Sequence, residues 1–304
     1  MPSAFSDLPF LRPLAPNVYH ARAPQHGRFP FCHGLLITGA QTVLVDSGIG
    51  RERIHEIDRV RRIDVLVISH SHPDHMLAWP ALADRHLLLP DETPDAAFDI
   101  LALGTRFTGN PDDGAHWAKR IGGKFQISPL RRPDDRYHHK QILDFGPVRL
   151  QAIRAPGHTI DHYGFLIPDH GVLWTTDIDF TSFGPWYGNP EADIEAFAED
   201  IRRFAAIPSR ATCSSHKPPI FGDASVAFQA FQDALVRQRR EVLDLCDRPL
   251  TLKELVDLSP FYRNRFPDRR TQQIFEARLI GKNLSLLLQE KKVACKDRRY
   301  VRIC

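Results

Sequence analysis

The stretch Ser69-His70-Ser71-His72-Pro73-Asp74-His75 limits what this chain can become more than any other. It follows the apolar run Val65-Leu66-Val67-Ile68, which is short, β-branched and bounded by polar residues, and so reads as a buried strand. Three imidazoles and a carboxylate are thereby crowded at a strand's C-terminal end, where the loops of layered α/β folds carry function. Imidazole nitrogens and carboxylate oxygens suit zinc and related divalent ions. The His-x-His alternation points two rings to one side, and Asp74-His75 lies far enough along to serve a second ion. As a merely solvated turn, the stretch would hold four ligand-type residues by coincidence.

His70-x-His72-x-Asp74-His75 resembles the signature of the metallo-β-lactamase-fold superfamily, and later stretches resemble that family's further motifs in order. Ala155-Pro156-Gly157-His158-Thr159 is similar to its glycine-turned loop, which delivers one histidine. Val172-Leu173-Trp174-Thr175-Thr176-Asp177 resembles its strand ending in a bridging aspartate, and Ser214-Ser215-His216 resembles its last histidine motif. Upstream, Thr42-Val43-Leu44-Val45-Asp46-Ser47-Gly48 is similar to the strand and turn that approach the site. The resemblance covers residues 17–222.

The resemblance implies an α/β fold, an αββα sandwich with two metals at one edge. His70, His72 and His158 would hold one ion, Asp74, His75 and His216 the other, and Asp177 would bridge them. The ions implied are divalent, zinc first, with iron or manganese as alternatives. A metal-bridging hydroxide would attack a thioester or ester carbonyl, since such a pair lowers the pKa of water towards ~7. Asp74 would also carry a proton to the leaving group. Asp46 is expected behind the ligands, orienting a histidine. His162 begins a strand, either as a substrate contact or proton shuttle or bonded to backbone. Trp186 and Tyr187, in the cluster Phe183 to Gly188, are expected either in a substrate wall or in packing under a loop.

Composition narrows the function. Hydrophobic residues at 42% and charged residues at 25% are ordinary for a globular chain, and 304 residues suffice for one large domain or two smaller ones. A net charge of +3 is too mild to imply nucleic acid. Five scattered cysteines with no Cys-x-x-Cys favour reduced thiols and a cytoplasmic setting. Neither a signal peptide nor a membrane-spanning run is expected.

Along the chain, residues 1–16 are expected to be a surface lead-in and Met76 to Ala83 a helix beneath the site. Residues 1–222 read as the catalytic domain. Within it, residues 91–136 are either a cap or lid insertion or a packing excursion on the outer helical layer. Residues 223–304 read as a small, mainly helical, winged-helix-like domain that packs beside the site or forms a homodimer contact. Its arginines 263, 265, 269 and 270 could receive an anionic substrate tail, such as that of a phosphorylated thioester carrier. The substrate expected is a small-molecule thioester or ester. Lactone or β-lactam hydrolysis, phosphodiester hydrolysis and a low-turnover ligand-sensing role are the alternatives, with only about forty residues between Asp177 and His216 counting against a nuclease insertion.

Overall fold

The computed structural model describes Phe5 and residues 7–303, so residues 1–4, where the expected lead-in begins, lie outside the described residues. Its frame is two sheets packed face to face. The first holds β1 (Leu11–Ala15), β2 (Val18–Ala21), β3 (Gly34–Ile37), β4 (Val43–Val45), β5 (Val65–Val67), β6 (His86–Pro90) and β7 (Asp135–Tyr137), in that order. β1 to β4 pair antiparallel and β4 to β7 parallel. The second holds β8 (Ile142–Asp144), β9 (Arg149–Arg154), β10 (Tyr163–Ile167), β11 (Val172–Trp174), β12 (Ala211–Cys213) and β13 (Ile220–Phe221), also in sequence order.

Side-chain alternation explains the layering. In β3, β4 and β5, Leu35, Ile37, Val43, Val45, Val65 and Val67 face the second sheet, meeting Leu150, Tyr163, Phe165 and Trp174. The intervening Leu36, Leu44 and Leu66 face the other way, onto Ile54 and Ile57 of α1 (Arg51–Val60). Both faces are covered, which is why these strands are apolar throughout. On the second sheet's outer face, Leu173 packs against Phe197, Ile201 and Phe204 of α5 (Ile194–Ala205). This is the αββα arrangement expected.

Two local expectations are corrected. Residues 11–15 are an edge strand, β1, paired with β2; Pro13 is tolerated there because an edge needs fewer backbone donors. Met76 to Ala83 forms turns and a short 3-10 segment, Trp79–Leu82, rather than an α-helix. Pro80 has no N–H to return to the Met76 carbonyl, so the chain closes instead through Trp79 N–H to that carbonyl at 3.3 Å.

Residues 91–136 contain α2 (Ile100–Thr108), α3 (Pro111–Trp117), a π-turn at Ala118–Gly122 and α4 (Gly123–Phe125) before entering β7. Asp99 caps α2, accepting from the amides of Leu101 and Ala102. Leu103, Phe107, Trp117 and Ile121 bury themselves in the same core as α1.

After β13 come α6 (Ser225–Leu245), β14 (Leu250–Thr251), α7 (Leu252–Leu258), α8 (Arg269–Gln289), β15 (Val293–Lys296) and β16 (Arg299–Arg302). A capping box between Thr251 and Glu254 starts α7. Strands β14, β16 and β15 form a small third sheet. This region has its own core around Val242, Leu255, Ile280 and Leu284, while Phe275 and Leu279 of α8 reach the cores of the sandwich.

Candidate metal centre

Four loops leave the two sheets at one edge and converge. The loop after β5 brings His70, His72, Asp74 and His75. The turn between β9 and β10 brings His158, the end of β11 brings Asp177, and the end of β12 brings His216. Close backbone approaches fix two of these loops. A Cβ at Gly157 would lie 2.2 Å from the Phe197 backbone, and one at Gly48 would lie 2.2 Å from the Asp74 carbonyl. Asp46 and Thr176 both hold positive φ, +63° and +54°. Such strain costs about 1–3 kcal/mol each and collects at functional sites. Thr176 is held there by its hydroxyl donating to the Tyr163 carbonyl at 2.7 Å.

All seven side chains meet, in two clusters that share Asp177. In the first, His158 Nε2 lies 3.0 Å from His72 Nδ1. Asp177 Oδ2 lies 3.2 Å from His158 Nε2 and 3.5 Å from His70 Nε2. In the second, Asp177 Oδ1 lies 3.1 Å from His75 Nε2 and 3.6 Å from His216 Nε2. Asp74 Oδ2 lies 3.4 Å from His216 Nε2 and 3.9 Å from His75 Nε2. One carboxylate oxygen thus faces each cluster.

The donor set fits divalent ions. His70 Nε2, His75 Nε2 and Asp177 Oδ1 are buried and have no aligned hydrogen-bond partner, although the Asp177 carboxylate lies 3.5 Å from the first and 3.1 Å from the second. Buried ligand-type atoms crowded in each cluster without hydrogen-bond alignment are what a coordinated cation would satisfy. Burial, the largest effect, pushes His70 and His72 well below the ordinary histidine range, which leaves the neutral imidazole that ligates. The second cluster differs because it is rich in carboxylates. Burial opposes charge on His75, but Cys32, Asp177, Asp46 and Asp74 outweigh it and raise its pKa well above normal. Burial opposes charge on His216 too, yet Asp74 and Asp177 overcome it and raise the pKa to about 9. Burial disfavours the ionised form of Asp177, yet the charge on His75 and the close imidazole nitrogens of His158, His70 and His75 hold its carboxyl well below the usual range.

Outer partners grip the ligand-type histidines at their other nitrogens. His75 Nδ1 donates to Asp46 Oδ2 at 2.8 Å, and the same carboxylate accepts from the Ser69 amide and hydroxyl. His158 Nδ1 donates to the Trp186 carbonyl at 2.8 Å, and His216 Nδ1 to the Gly27 carbonyl at 2.6 Å. Such outer bonds fix ring orientation and tautomer. His162 stands behind the site, fully buried, with Nδ1 donating to the Ala155 carbonyl and Nε2 accepting from the Asp177 amide. It is therefore the backbone-bonded histidine, and the shuttle or substrate-contact alternative is corrected. Trp186 puts its indole 5.4 Å from the His72 ring. Tyr187 is buried and points elsewhere, its hydroxyl accepting from Asn283, so it does not line a substrate wall. Adjacent residues in an extended segment face opposite ways.

Sequence reading missed several neighbours. Asn189 is fully buried with its amide 2.8 Å from His72 Nε2. Arg106 of α2 reaches the metal loop, donating to Ser71 Oγ at 2.6 Å, Asp161 Oδ1 at 2.9 Å and Glu191 Oε1 at 2.8 Å. Phe107 beside it places its ring 5.5 Å from His72. Cys32 donates to the Asp74 carbonyl at 3.4 Å. Of these, only Asp161 left a signal, as the acidic half of the extra Asp161-His162 pair.

The family model described as the metallo-beta-lactamase superfamily matches residues 28–236. An atrochrysone carboxyl ACP thioesterase of Aspergillus fumigatus is 22% identical over 246 residues, covering 78% of this chain and 67% of that protein. A hydroxyacylglutathione hydrolase of Mesorhizobium japonicum is 22% identical over 174 residues, covering 57% of this chain and 55% of that protein. The chain thus spans between about half and two thirds of the length of these two relatives. Among solved structures, a metallo-beta-lactamase family protein from Thermus thermophilus aligns with a TM-score of 0.72 at 21% identity, covering 96% of this chain and 100% of that one. A beta-lactamase domain protein from Burkholderia ambifaria gives 0.69 at 18% identity, covering 96% and 93%. At these identities the structural likeness speaks to fold.

Proposed function

The chain belongs to the metallo-beta-lactamase superfamily, and from that premise we propose a binuclear metal-dependent hydrolase acting on a thioester or ester bond. The observation that carries the reading is Asp177, with one oxygen turned to each of two clusters in which His70 Nε2, His75 Nε2 and Asp177 Oδ1 itself lack an aligned hydrogen-bond partner. Two divalent ions bound there, zinc first, would polarise the acyl carbonyl and lower the pKa of a water molecule towards ~7.

The chain's own groups do the rest. His70, His72 and His158 present neutral or outer-bonded nitrogens on the Phe107 and Trp186 side. Asp46 keeps the His75 ring turned so that Nε2 faces Asp177. Phe107 and Trp186 cover the first cluster and exclude water from that side. Asp74, beside His216 at the more open cluster, is the group that passes a proton to the departing atom. In hydrolysis the water oxygen bonds to the acyl carbon, the carbon–sulfur bond breaks, and the sulfur leaves with a proton. Thiols have pKa values near ~8.5, so a thiolate leaves with little help, which suits a site offering one modest acid. The thioesterase and hydroxyacylglutathione hydrolase named among the relatives support the thioester class.

Among the described residues the four cysteines are unpaired, which supports a reducing compartment such as the cytoplasm. No helix among the described residues is long and apolar enough to cross a membrane.

The test is hydrolysis of a thioester, lactone, β-lactam and phosphodiester panel by the metal-loaded protein. Thioester turnover abolished by His72→Ala and Asp177→Asn is expected. Phosphodiester turnover alone, or thioester turnover indifferent to both substitutions, would contradict the reading.

A further inference from the structure

We propose that the cleft between the π-turn Ala118–Gly122 and the start of α8 is a phosphate subsite for the leaving-group end of the substrate. The proposal rests on the thioester reading above. The cleft measures about 370 Å³ and is lined by Lys119, Arg120, Ile121 and Lys124 on one side and by Pro267 and Asp268 on the other. That is within the range of small-ligand pockets, roughly 300–1,000 Å³.

Three cations face a single carboxylate, and that carboxylate is already engaged. Asp268 caps α8 by accepting from the Thr271 amide at 2.9 Å and hydroxyl at 2.7 Å, and it takes His116 Nε2 at 2.9 Å. Arg120 Nε is 3.6 Å from its other oxygen, and among the described residues no ion pair joins Lys119 or Lys124. Converging ammonium and guanidinium groups with little local negative charge suit a phosphate. Arg270, one of the arginines considered from sequence for this role, is instead committed to Asp113 at 2.5 Å.

Chains of packed residues lead from the cleft toward the metal centre. One runs beneath the surface, from the His72 ring to the buried rings of Phe107 and then Trp117, 5.0 Å apart, the latter directly preceding the π-turn bearing Lys119 and Arg120. The other runs from Trp186, whose indole N–H donates to Tyr262 Oη at 2.6 Å, through Phe266 to Pro267 and Asp268. On the side of His216, the most exposed of the seven site residues, Lys124 lies over Phe125, and Phe125 meets Phe29 at 5.3 Å. Phe29 closely follows Gly27, whose carbonyl holds His216. An acyl carbonyl at the metals, a flexible arm over the aromatic rim and a phosphate on the three cations describe a phosphopantetheinyl thioester. Coenzyme A and a carrier protein are the two sources of that chemistry.

The experiment compares one acyl group on pantetheine, on 4′-phosphopantetheine, on coenzyme A and on a carrier protein. It uses the full metal-loaded chain, Lys119→Gln/Lys124→Gln, and Arg120→Gln. The wild type should show a KM about tenfold lower for the phosphate-bearing thioesters than for the pantetheine one. The substitutions should erase that gap while leaving kcat and the pantetheine KM unchanged. A gain confined to coenzyme A or to the carrier protein names the source. Equal KM values in the wild type, or variants that weaken every substrate alike, would overturn the subsite. If no thioester turns over, the hydrolase reading fails, and calorimetric binding judges the cleft alone. Tighter binding of 4′-phosphopantetheine than of pantetheine, lost in the variants, would uphold it; equal binding would refute it.

Discussion

Asn189 touches His72 Nε2 while Lys282 of α8 holds the Asn189 carbonyl at 2.7 Å, so one imidazole of the metal loop is oriented from the C-terminal region. Asn189→Leu keeps volume but removes the polar partner. Metal affinity should fall about 10–100-fold in chelator competition, and unchanged affinity would show that His72 needs no such support. Asp161 is the second case. It is fully buried, and although burial opposes its ionisation, Arg106, His70 and Ser71 hold its pKa at about 2 against a reference of 3.8. A folded value below the unfolded one stabilises above the unfolded value and is lost as pH falls through the folded one. The contribution is about 2 kcal/mol, so Asp161→Asn should flatten the loss of stability between about pH 4 and pH 2 in urea titrations. Arg106→Met leaves that carboxylate buried and unpaired and should cost about 3–5 kcal/mol.

At the scale of elements, strands and their ends were the legible part. Val65-Leu66-Val67 and Val172-Leu173-Trp174 are apolar on both faces, and the residues that follow each run are the ones that meet at the sheet edge. Legibility ended where tertiary contact decides. Pro80 turned the expected helix into a 3-10 turn. Nothing local marks Arg106 or Asn189, because their partners lie 35 and 117 residues away. Trp186 and Tyr187 could be separated only by knowing which of two adjacent side chains faces inward. Close packing also sets how elements answer substitution. Gly281, inside α8, has open space where a Cβ would stand, so Gly281→Ala should stabilise by about 0.5–1 kcal/mol. Gly157→Ala would press on the Phe197 backbone and should destabilise by about 1–3 kcal/mol. Urea midpoints moving the same way for both would contradict this packing.

Across the whole molecule, the metal centre joins loops from both sheets, with Phe107 of α2 and Trp186 packed against His72 and Phe275 of α8 packed behind Trp186. Ions that bind the folded chain alone add stability by mass action, about 2.7 kcal/mol at a hundredfold excess over Kd. Chelation should therefore lower Tm by roughly 5 °C or more. The carboxylate-rich half holds protons on His75 and His216 when no ion is bound, so loading at pH 7 should release protons, fewer as pH passes about 9. Calorimetry in buffers of different ionisation heat measures that release. The most direct test is the metal content of the replete protein, determined by elemental analysis beside Asp177→Asn. Two ions per chain in the wild type, falling to one or fewer in the variant, is the result predicted. Fewer than one ion per chain in the wild type after metal-replete preparation would contradict a shared binuclear centre.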